Sequence, residues 1–241
     1  MLILALDTTT RAGSLSLVRG DSTLETFVGD AERTHATRLP GDILDCLARH
    51  HVALSDVDLY GVAAGPGSFT GLRIGIATVQ GLAFAHGRPV AGVSALHALA
   101  EAAGGVKAAA PGTLRAVWMD AQRGEVYACL YRAGDSGWTE TSPPVVGHPA
   151  PVLASWADVA AGHPVEFVGD GALVYAGAIE AAFGPPASIV RPVPLLAPAI
   201  ARLAGLSVAA GLAVHPHAIR PVYIRRPDAE LARDRRTGAG R

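Results

Sequence analysis

The first part of the chain alternates between short apolar runs and segments whose apolar residues recur at helical spacing. The apolar run 2–6 predicts a strand buried on both faces, and it ends at Asp7. The alternation of polar and apolar residues that follows predicts two more strands, which complete a three-stranded meander. The predicted elements up to residue 103 are strands over 2–6, 14–18, 23–28, 58–64 and 89–93, and helices over 37–50, 70–86 and 95–103.

Two details support the predicted helices. Ser94 directly precedes the third helix and is a favourable N-cap residue. In the first helix, apolar residues recur at the spacing that a single buried stripe requires. The residues of this stripe are Leu39, Ile43, Leu44 and Leu47.

A stretch rich in alanine and glycine, 104–112, leads into a second part with a similar order of elements. Its first predicted strand ends in Asp120, as the first strand of the chain ends in Asp7. Strands followed by helices, twice, predict an α/β protein with the duplicated actin-like or sugar-kinase-like (ribonuclease H-like) fold, although the order alone also fits other α/β folds. The further predicted elements are strands over 114–119, 125–131 and 166–168, and helices over 172–183 and 194–210.

This fold has two lobes, each a mixed sheet flanked by helices. We expect an N-terminal lobe over residues 1–105 and a C-terminal lobe over residues 106–225. The remaining residues, 226–241, are rich in arginine and predict a basic, flexible tail.

Composition narrows the classes of function. Hydrophobic residues make up 50% of the chain and charged residues 17%, a balance that excludes disorder over most of its length. The net charge of −1 provides no general attraction for nucleic acid. Cys46 and Cys129 are expected to be small buried residues of a reducing compartment. Because no apolar run fits a signal peptide or a membrane span, we expect a cytoplasmic protein without a membrane contact.

The turn after the first strand bears on nucleotide binding. Actin-like ATPases and kinases hold phosphates on an Asp-x-Gly-Thr/Ser turn, where glycine lets backbone N–H groups approach the phosphate. Here Asp7 is present, but Thr9 takes the place of the glycine and crowds that approach. In the second part, Gln122 follows Asp120 at the corresponding position. Both aspartates are candidates for cofactor binding, or alternatively cap their turns by accepting backbone N–H groups, and we expect no tightly bound cofactor.

The segment 65–71, Gly-Pro-Gly-Ser-Phe-Thr-Gly, follows a predicted strand and opens a predicted helix, which is the setting of many anion sites. It lacks the Gly-Lys-Ser/Thr end of a P-loop, because Leu72 follows Gly71. It also lacks the third glycine of the dinucleotide pattern and the glycines that flank the serine of a nucleophile elbow. The segment therefore predicts none of these three chemistries.

The helix after this segment has two apolar faces. A glycine inside a helix costs about 1 kcal/mol relative to alanine, and close approach of another backbone is the usual compensation. One face can pack on the chain's own sheet, while the other needs cover from a neighbouring helix in this chain or in a partner. The first set of residues is Leu72, Ile76, Val79 and Ala83, and the second set is Gly71, Gly75, Thr78, Leu82 and Ala85.

Several segments together resemble one protein family. They are the N-terminal segment 4–9, His35, the glycine-rich segment 65–75, and the later segments 120–127 and 221–225. On these motifs the chain resembles the TsaB family over most of its length, most specifically in the glycine-rich segment. Within the segment 120–127, Gln122 takes a place where the family often has arginine.

The resemblance implies a non-catalytic paralogue of TsaD, the subunit that transfers a threonylcarbamoyl group to an adenosine beside the tRNA anticodon. TsaD resembles a metal enzyme with two histidines four residues apart, a spacing that puts both imidazoles on one face of a helix. Here His35 is present, but Leu39 takes the second place. We therefore expect neither a metal site nor a catalytic residue.

The resemblance also implies binding through the first two helices, which pack against the equivalent pair of TsaD, and homodimers use the same surface. It further implies assembly with TsaE, a P-loop ATPase, contact with tRNA through the complex, and any ATP or ADP at the shared interface. The expected partner-binding residues are His35, Leu39, Ile43, Leu47, Arg73, Ile74, Gly75, Ala77, Thr78, Gly81, Leu82 and Ala85.

Alternatives to a scaffold subunit stay open at this point. A stand-alone actin-fold ATPase or kinase is favoured by Asp7 and Asp120 and disfavoured by Thr9. A metallopeptidase is suggested by a resemblance of TsaD to glycoproteases, but the ligands for its metal are missing here. The arginine-rich tail 226–241 is either a solvated end of the chain or an auxiliary tRNA contact.

Overall fold

The computed structural model describes residues 1–104, 109–110, 112–135, 137–184 and 187–225. The first part of the chain forms five strands and three helices, with a short 3-10 helix at Leu54–Asp56. These elements are β1 (Leu2–Asp7), β2 (Ser14–Arg19), β3 (Ser22–Val28), α1 (His35–Arg49), β4 (Leu59–Gly65), α2 (Phe69–Ala85), β5 (Val90–Ser94) and α3 (Ala95–Ala102).

The second part of the chain forms a second sheet and the remaining helices, with a short 3-10 helix at Pro216–Ala218. These elements are β6 (Leu114–Asp120), β7 (Val126–Ala133), β8 (Trp138–Glu140), β9 (Val145–Gly147), α4 (Pro149–Ala160), β10 (Val165–Val168), α5 (Asp170–Val174), α6 (Ala176–Phe183), β11 (Ala187–Ile189) and α7 (Ala197–Ala209).

The two sheets share one internal arrangement. In the first, β1 pairs antiparallel with β2 and parallel with β4, within the order β3-β2-β1-β4-β5. In the second, β6 pairs antiparallel with β7 and parallel with β10, within the order β11-β10-β6-β7-β8, and β9 also pairs with β7. The repetition confirms the predicted duplicated fold with mixed sheets. We call the first sheet with α1 and α2 the first lobe, and the second sheet with α4 to α6 the second lobe.

A hydrophobic core that includes α3 and α7 joins the two lobes. Both helices contribute to it, and buried residues from both sheets pack around them. In β1, Ile3 and Ala5 face this core, whereas Leu4 and Leu6 face a separate core under α1 and α2. The alternation follows from the strand geometry, in which successive side chains point to opposite faces. β1 is therefore buried on both faces, as its continuous apolar run predicts.

Hydroxyl side chains begin the three helices of the first part of the chain. Thr34, Ser68 and Ser94 each accept a hydrogen bond from the backbone N–H three residues further on, at 3.3, 3.2 and 3.3 Å. Each bond satisfies one of the N–H groups that have no partner inside the helix. The prediction that Ser94 is an N-cap is confirmed, and α1, α2 and α3 lie where the periodicity predicts them.

Three predictions about the helices were wrong. Leu44 does not belong to the buried stripe of α1, since 54% of its surface is exposed, and Cys46 is buried in its place. The helix predicted over 172–183 is interrupted at Tyr175, whose backbone angles are not helical, and forms α5 and α6. The helix predicted over 194–210 begins only at Ala197.

Sequence reasoning missed α4 and three short strands, β8, β9 and β11. Each of the three strands has three residues, too few for an alternating pattern to stand out. α4 had a detectable signal, because its buried residues Leu153, Trp156 and Ala160 recur at helical spacing. Pro149 at the start of the helix is a further signal, since proline is favoured in the first turn.

Both cysteines are buried within the chain, as predicted. Burial raises the pKa of the Cys46 thiol to about 11 and that of the Cys129 thiol to about 12. The predicted boundary between residues 105 and 106 and the predicted tail 226–241 lie outside the described residues. Within the part of the chain that the structure describes, no helix has the length and apolar character needed to cross a membrane.

Candidate functional site

The turn after β1 is held together by Asp7. Its Oδ1 accepts hydrogen bonds from the backbone N–H of Thr9 at 2.8 Å and from the Thr9 hydroxyl at 2.6 Å. Burial raises the pKa of the Asp7 carboxyl, and the two bonds from Thr9 act in the opposite direction. Asp7 therefore caps its own turn, and its candidacy for cofactor binding stays a prediction.

The turn after β6 repeats this arrangement. Asp120 accepts hydrogen bonds from the backbone N–H of Gln122 at 2.9 Å and from its side-chain amide at 2.7 Å. Asp170, at the start of α5, accepts from the backbone N–H of Asp120 at 3.0 Å, and burial raises the pKa of the Asp170 carboxyl. Asp120 and Asp170 line one wall of a cleft between the lobes, a cavity of about 560 Å³.

The glycine-rich segment forms the facing wall of this cleft, and its first two glycines make room for other parts of the chain. Gly65 has φ 125°, and a Cβ atom there would overlap the carbonyl oxygen of Val222. A Cβ atom on Gly67, which has φ 155°, would lie 2.5 Å from Cβ of Thr9. Thr9, which stands in place of the glycine of a phosphate-binding turn, therefore packs directly against Gly67.

The next two glycines are covered by one residue of the turn after β1. A Cβ atom on Gly71 would overlap the carbonyl oxygen of Thr8, and one on Gly75 would overlap the Thr8 hydroxyl. Thr8 is fully buried, and its hydroxyl has no hydrogen-bond partner among the described residues. The close backbone approach that the glycine pattern predicts is therefore made inside the chain at Gly71, whereas a side chain covers Gly75.

His35, expected on the partner surface, lies buried beneath the turn after β1. Its Nε2 is 2.9 Å from the carbonyl oxygen of Thr10, and its Nδ1 is 3.0 Å from Nη2 of Arg38. Because a guanidinium only donates, Nδ1 accepts and Nε2 carries the proton that is donated to Thr10. Both ring nitrogens are thus engaged within the chain. Among the described residues, no three His, Cys, Asp or Glu side chains are placed to hold a metal ion.

Arg38 completes this arrangement and was missed in the sequence. Its side chain is buried, donates to the carbonyl oxygen of Ala12 and pairs with Asp42 one turn further along α1. Burial of an arginine carries a large desolvation cost, which attraction to a partner charge offsets. Here Asp42 supplies that partner charge. The spacing of Arg38 and Asp42 on a helix could have indicated the pair.

The expected partner-binding residues on α1 and α2 divide by exposure. Leu39, Ile43 and Leu47 are buried in the core under the two helices, and Gly75 is buried under Thr8. These residues, like His35, can support a binding surface from below but do not form it. The half-buried residues are Ile74, Thr78 and Leu82, and the exposed residues are Arg73, Ala77, Gly81 and Ala85.

The exposed residues form one face along α2, which we call the open face (Arg73, Ala77, Gly81 and Ala85), and all of them except Arg73 are small. Apart from its chain neighbours and the backbone of its own helix, no described atom lies within 4 Å of a Cβ position on Gly81. Two large apolar residues that the sequence analysis did not place there are also exposed on the helix pair. Phe84 on α2 is 73% exposed and Leu44 on α1 is 54% exposed.

At its N-terminal end, the open face meets the C-terminal segment. The guanidinium of Arg73 lies 3.9 Å from the centre of the Phe69 ring, and its Nε donates to the Tyr223 hydroxyl at 3.0 Å. The rings of Phe69 and Tyr223 stack with their centres 4.9 Å apart. No local sequence pattern indicated this cluster, because Arg73 and Tyr223 are 150 positions apart.

Two similarly built lobes around a cleft, with an aspartate-capped turn on each β1-like strand, define an actin-like fold. A Thermus thermophilus ROK hexokinase structure has this fold as well, with a TM-score of 0.50 at 16% identity over 88% of this chain. The family model of TsaD, tRNA N6-adenosine threonylcarbamoyltransferase, matches residues 29–234. The chain belongs to the TsaB family within this group, and the predicted resemblance is confirmed by the relatives that follow.

The Bacillus subtilis tRNA threonylcarbamoyladenosine biosynthesis protein TsaB is 31% identical over 76% of this chain and 77% of its own length. The Escherichia coli TsaB is 39% identical over 57% of this chain. The chain spans 58% of the length of the E. coli protein and 56% of a Mycobacterium leprae relative. The YeaZ structure from Pseudomonas aeruginosa has a TM-score of 0.77 at 34% identity, covering 92% of this chain and 99% of its own.

Proposed function

We propose that this chain is a non-catalytic subunit in tRNA threonylcarbamoyladenosine biosynthesis and binds the catalytic transferase TsaD through the open face of α2 and the exposed side of α1. The names of its TsaB relatives support a role in this biosynthesis. The observation that carries the surface assignment is Gly81, whose open surroundings leave its presence unexplained within the chain.

A glycine in a helix interior costs about 1 kcal/mol relative to alanine. At Gly71 and Gly75 the packing of Thr8 offsets this cost, but among the described residues Gly81 has no such neighbour. Together with Ala77 and Ala85 it leaves a shallow face, on which a second helix can pack at about 8–10 Å between axes. The exposed Phe84 and Leu44 add apolar area that association would bury.

The non-catalytic role is supported by how the chain uses its own polar groups. Thr9 takes the place of the glycine of a phosphate-binding turn and packs against Gly67, and Asp7 accepts hydrogen bonds from Thr9. Both ring nitrogens of His35 are engaged by Thr10 and Arg38. On this proposal any ATP or ADP belongs to an interface with TsaD or TsaE, and tRNA is contacted through the complex.

The surface assignment is tested by association with TsaD. Ala77→Glu places a charge on the open face, and Ala157→Glu makes the same change at an exposed position of α4 in the second lobe. Sedimentation velocity with purified TsaD is expected to show a complex with the parent chain and with Ala157→Glu, and at least about tenfold weaker binding with Ala77→Glu. Equal binding by all three would show that TsaD does not use this face.

The functional assignment is tested by reconstitution. TsaD, TsaE, tRNA and threonylcarbamoyl-adenylate are combined with and without this chain, and modified adenosine is measured by mass spectrometry. Modification is expected to require the chain and to fall with Ala77→Glu in proportion to complex formation. Full modification without the chain would contradict the proposal, and ATP hydrolysis by the isolated chain would favour a stand-alone ATPase. A homodimer through the same face would compete with TsaD, so its dissociation constant is measured first.

A further inference from the structure

The C-terminal segment first follows the surface of the first lobe. Val214 exchanges two backbone hydrogen bonds with Val90 of β5, at 2.9 and 3.1 Å. The side chain of Gln80 on α2 then donates to the carbonyl oxygen of Pro216 at 3.0 Å. The segment is therefore anchored to β5 and α2 before it reaches the cleft.

Residues 221–225, which we call the strap, next contact the glycine-rich wall of the cleft. The backbone N–H of Val222 donates to the carbonyl oxygen of Ala64 at 2.7 Å, and its carbonyl occupies the space left by Gly65. Tyr223 stacks on Phe69 and accepts the bond from Arg73. The first half of the strap thus belongs to the first lobe.

The last residue of the strap crosses to the second lobe. Nη1 of Arg225 donates to the carbonyl oxygen of Ala121 at 2.6 Å, and Nη2 forms an ion pair with Glu125. The guanidinium also lies 5.5 Å from the centre of the Tyr127 ring. A hydrogen bond from a charged group is about twice as strong as one between neutral groups, so this end of the strap is firmly attached.

The turn that Arg225 holds is strained. Gln122 and Arg123 both have φ 60°, and Gly124 has φ 78°. For a residue with a side chain this left-handed conformation is unfavourable, and it persists only where surrounding contacts hold it. The same turn lines the cleft with Asp120 and Gln122, opposite Ser68 and Thr70 of the other wall.

We propose that residues 221–225 form a strap between the lobes, which holds the turn at 120–125 against the glycine-rich turn at 65–71. The strap sets the width of the cleft at this edge, and the two turns separate only when it is released. This inference concerns the free chain and does not depend on the partner assignment above.

Hydrogen exchange of the full chain, read by mass spectrometry, tests the strap. Arg225→Ala removes the bonds to Ala121 and Glu125, and amides in 120–126 are expected to exchange about tenfold or more faster. Arg220→Ala is the matched control, because within the described part of the chain the Arg220 guanidinium donates to carbonyls of its own turn, those of His217 and Ile219. Unchanged exchange in 120–126 for Arg225→Ala would overturn the proposal.

A second variant separates a strap from a local contact. Tyr223 stacks on Phe69 and accepts a hydrogen bond from Arg73, both in the first lobe, so a local role predicts that Tyr223→Ala changes exchange only near Phe69. If the strap acts as a unit, exchange rises in both 65–72 and 120–126. An effect confined to 65–72 would refute the coupling, and Tyr223→Phe, which keeps the ring, is expected to restore most of the protection.

Cleft width itself can be measured between spin labels at Arg33→Cys and Val174→Cys, both exposed positions, with the native cysteines buried. The distance distribution is expected to become longer and broader in Arg225→Ala and to stay unchanged in Arg220→Ala. Should Arg225→Ala not fold, as judged by near-ultraviolet circular dichroism, Glu125→Gln replaces it, since it removes the ion pair and leaves an acceptor. An unchanged distance in a folded variant would refute the proposal.

Discussion

The two ends of α2 use glycine in different ways. Near the N-terminus, Gly71 and Gly75 lie directly under Thr8, which occupies the space that a side chain would fill. Further along the helix, Gly81 lies on the exposed surface, and apart from its chain neighbours and the backbone of its own helix, no described atom lies within 4 Å of a Cβ position there. Packing inside the chain thus accounts for Gly71 and Gly75 but not for Gly81.

Because of this difference, we expect substitutions at one end of α2 to affect mainly stability and substitutions at the other end to affect association. Substitutions at the N-terminal end of α2 act on the fold, because the turn after β1 rests on those glycines. Substitutions at Gly81 are expected to meet no steric clash inside the chain, and to act on association and, through helix propensity, on stability. The two ends can therefore be tested independently.

The largest effect is expected for Gly71→Ala. The added Cβ atom would overlap the backbone carbonyl of Thr8, which cannot rotate away, so the free energy of unfolding should fall by about 3 kcal/mol. Urea unfolding followed by circular dichroism gives the value. Gly177→Ala in α6, where no atom lies within 4 Å of the Cβ position, is the control and should be neutral or stabilising. Equal stability of both variants would show that Thr8 does not pack on α2.

A smaller effect is expected for Gly75→Ala, because its clash is with the Thr8 side chain rather than with backbone. We expect a loss of about 2 kcal/mol for the single variant and recovery of about half of it in combination with Thr8→Ala. In the double variant the nearest remaining atom would be Cβ of residue 8, at 3.3 Å. Thr8→Ala alone removes no hydrogen bond, since the hydroxyl has no partner. Additive losses in the double-mutant cycle would contradict the contact.

Gly81→Ala is expected to change stability and association in opposite directions. The free chain should gain up to about 1 kcal/mol from helix propensity, because the new methyl group meets no atom. Binding to TsaD should weaken if a partner helix approaches closely at this position. Thermal unfolding and sedimentation velocity on one preparation measure both quantities. A gain in stability with unchanged affinity would place Gly81 outside the interface.

The smallest effect is expected on the pH dependence of stability. It arises from Asp7, in the turn after β1 that covers Gly71 and Gly75. Burial raises the pKa of Asp7, so its contribution to stability is fully present below the pKa of the unfolded chain and is lost as pH rises through the folded pKa. Asp7→Asn removes this loss, and its melting temperature relative to the parent should rise as pH increases above the usual pKa of an aspartate, 3.8.

Glu25→Gln is the control with the opposite sign. The hydrogen bond from Arg49 lowers the pKa of Glu25, so the parent loses this contribution as pH falls through the folded pKa. The melting temperature of Glu25→Gln relative to the parent should therefore fall as pH rises. The same trend in both variants would mean that the titration of neither carboxyl governs the result.

Much of the fold was predictable because its signals are local. The apolar run before Asp7 and its counterpart before Asp120 identified the central strands of both sheets, and Ser94 marked the start of α3. Short edge strands such as β8 carry too few residues for a pattern. Leu44 was instead predicted to be buried and is exposed, because an apolar residue at the edge of a helical stripe need not be buried.

The candidate site was predictable only in part. Thr9 in place of glycine and a single histidine at His35 indicated that phosphate and metal chemistry were not supported, and the contacts of Asp7 agree with the cap interpretation. Burial of Leu39, Ile43 and Leu47 follows from their stripe, but their removal from the reachable surface became evident only in three dimensions.

The sequence by itself determined the longer strands, most of the helices, the two aspartate-capped turns and the departures from a phosphate-binding turn. Backbone preference and side-chain periodicity act between neighbours, so these features can be read along the chain. Only the tertiary structure decided what lies over each glycine, how His35 is engaged by Arg38, and where the strap crosses the cleft. These outcomes depend on contacts between segments far apart in the chain, such as Arg225 with Ala121 and Arg73 with Tyr223, whose meeting is set by packing of the whole fold.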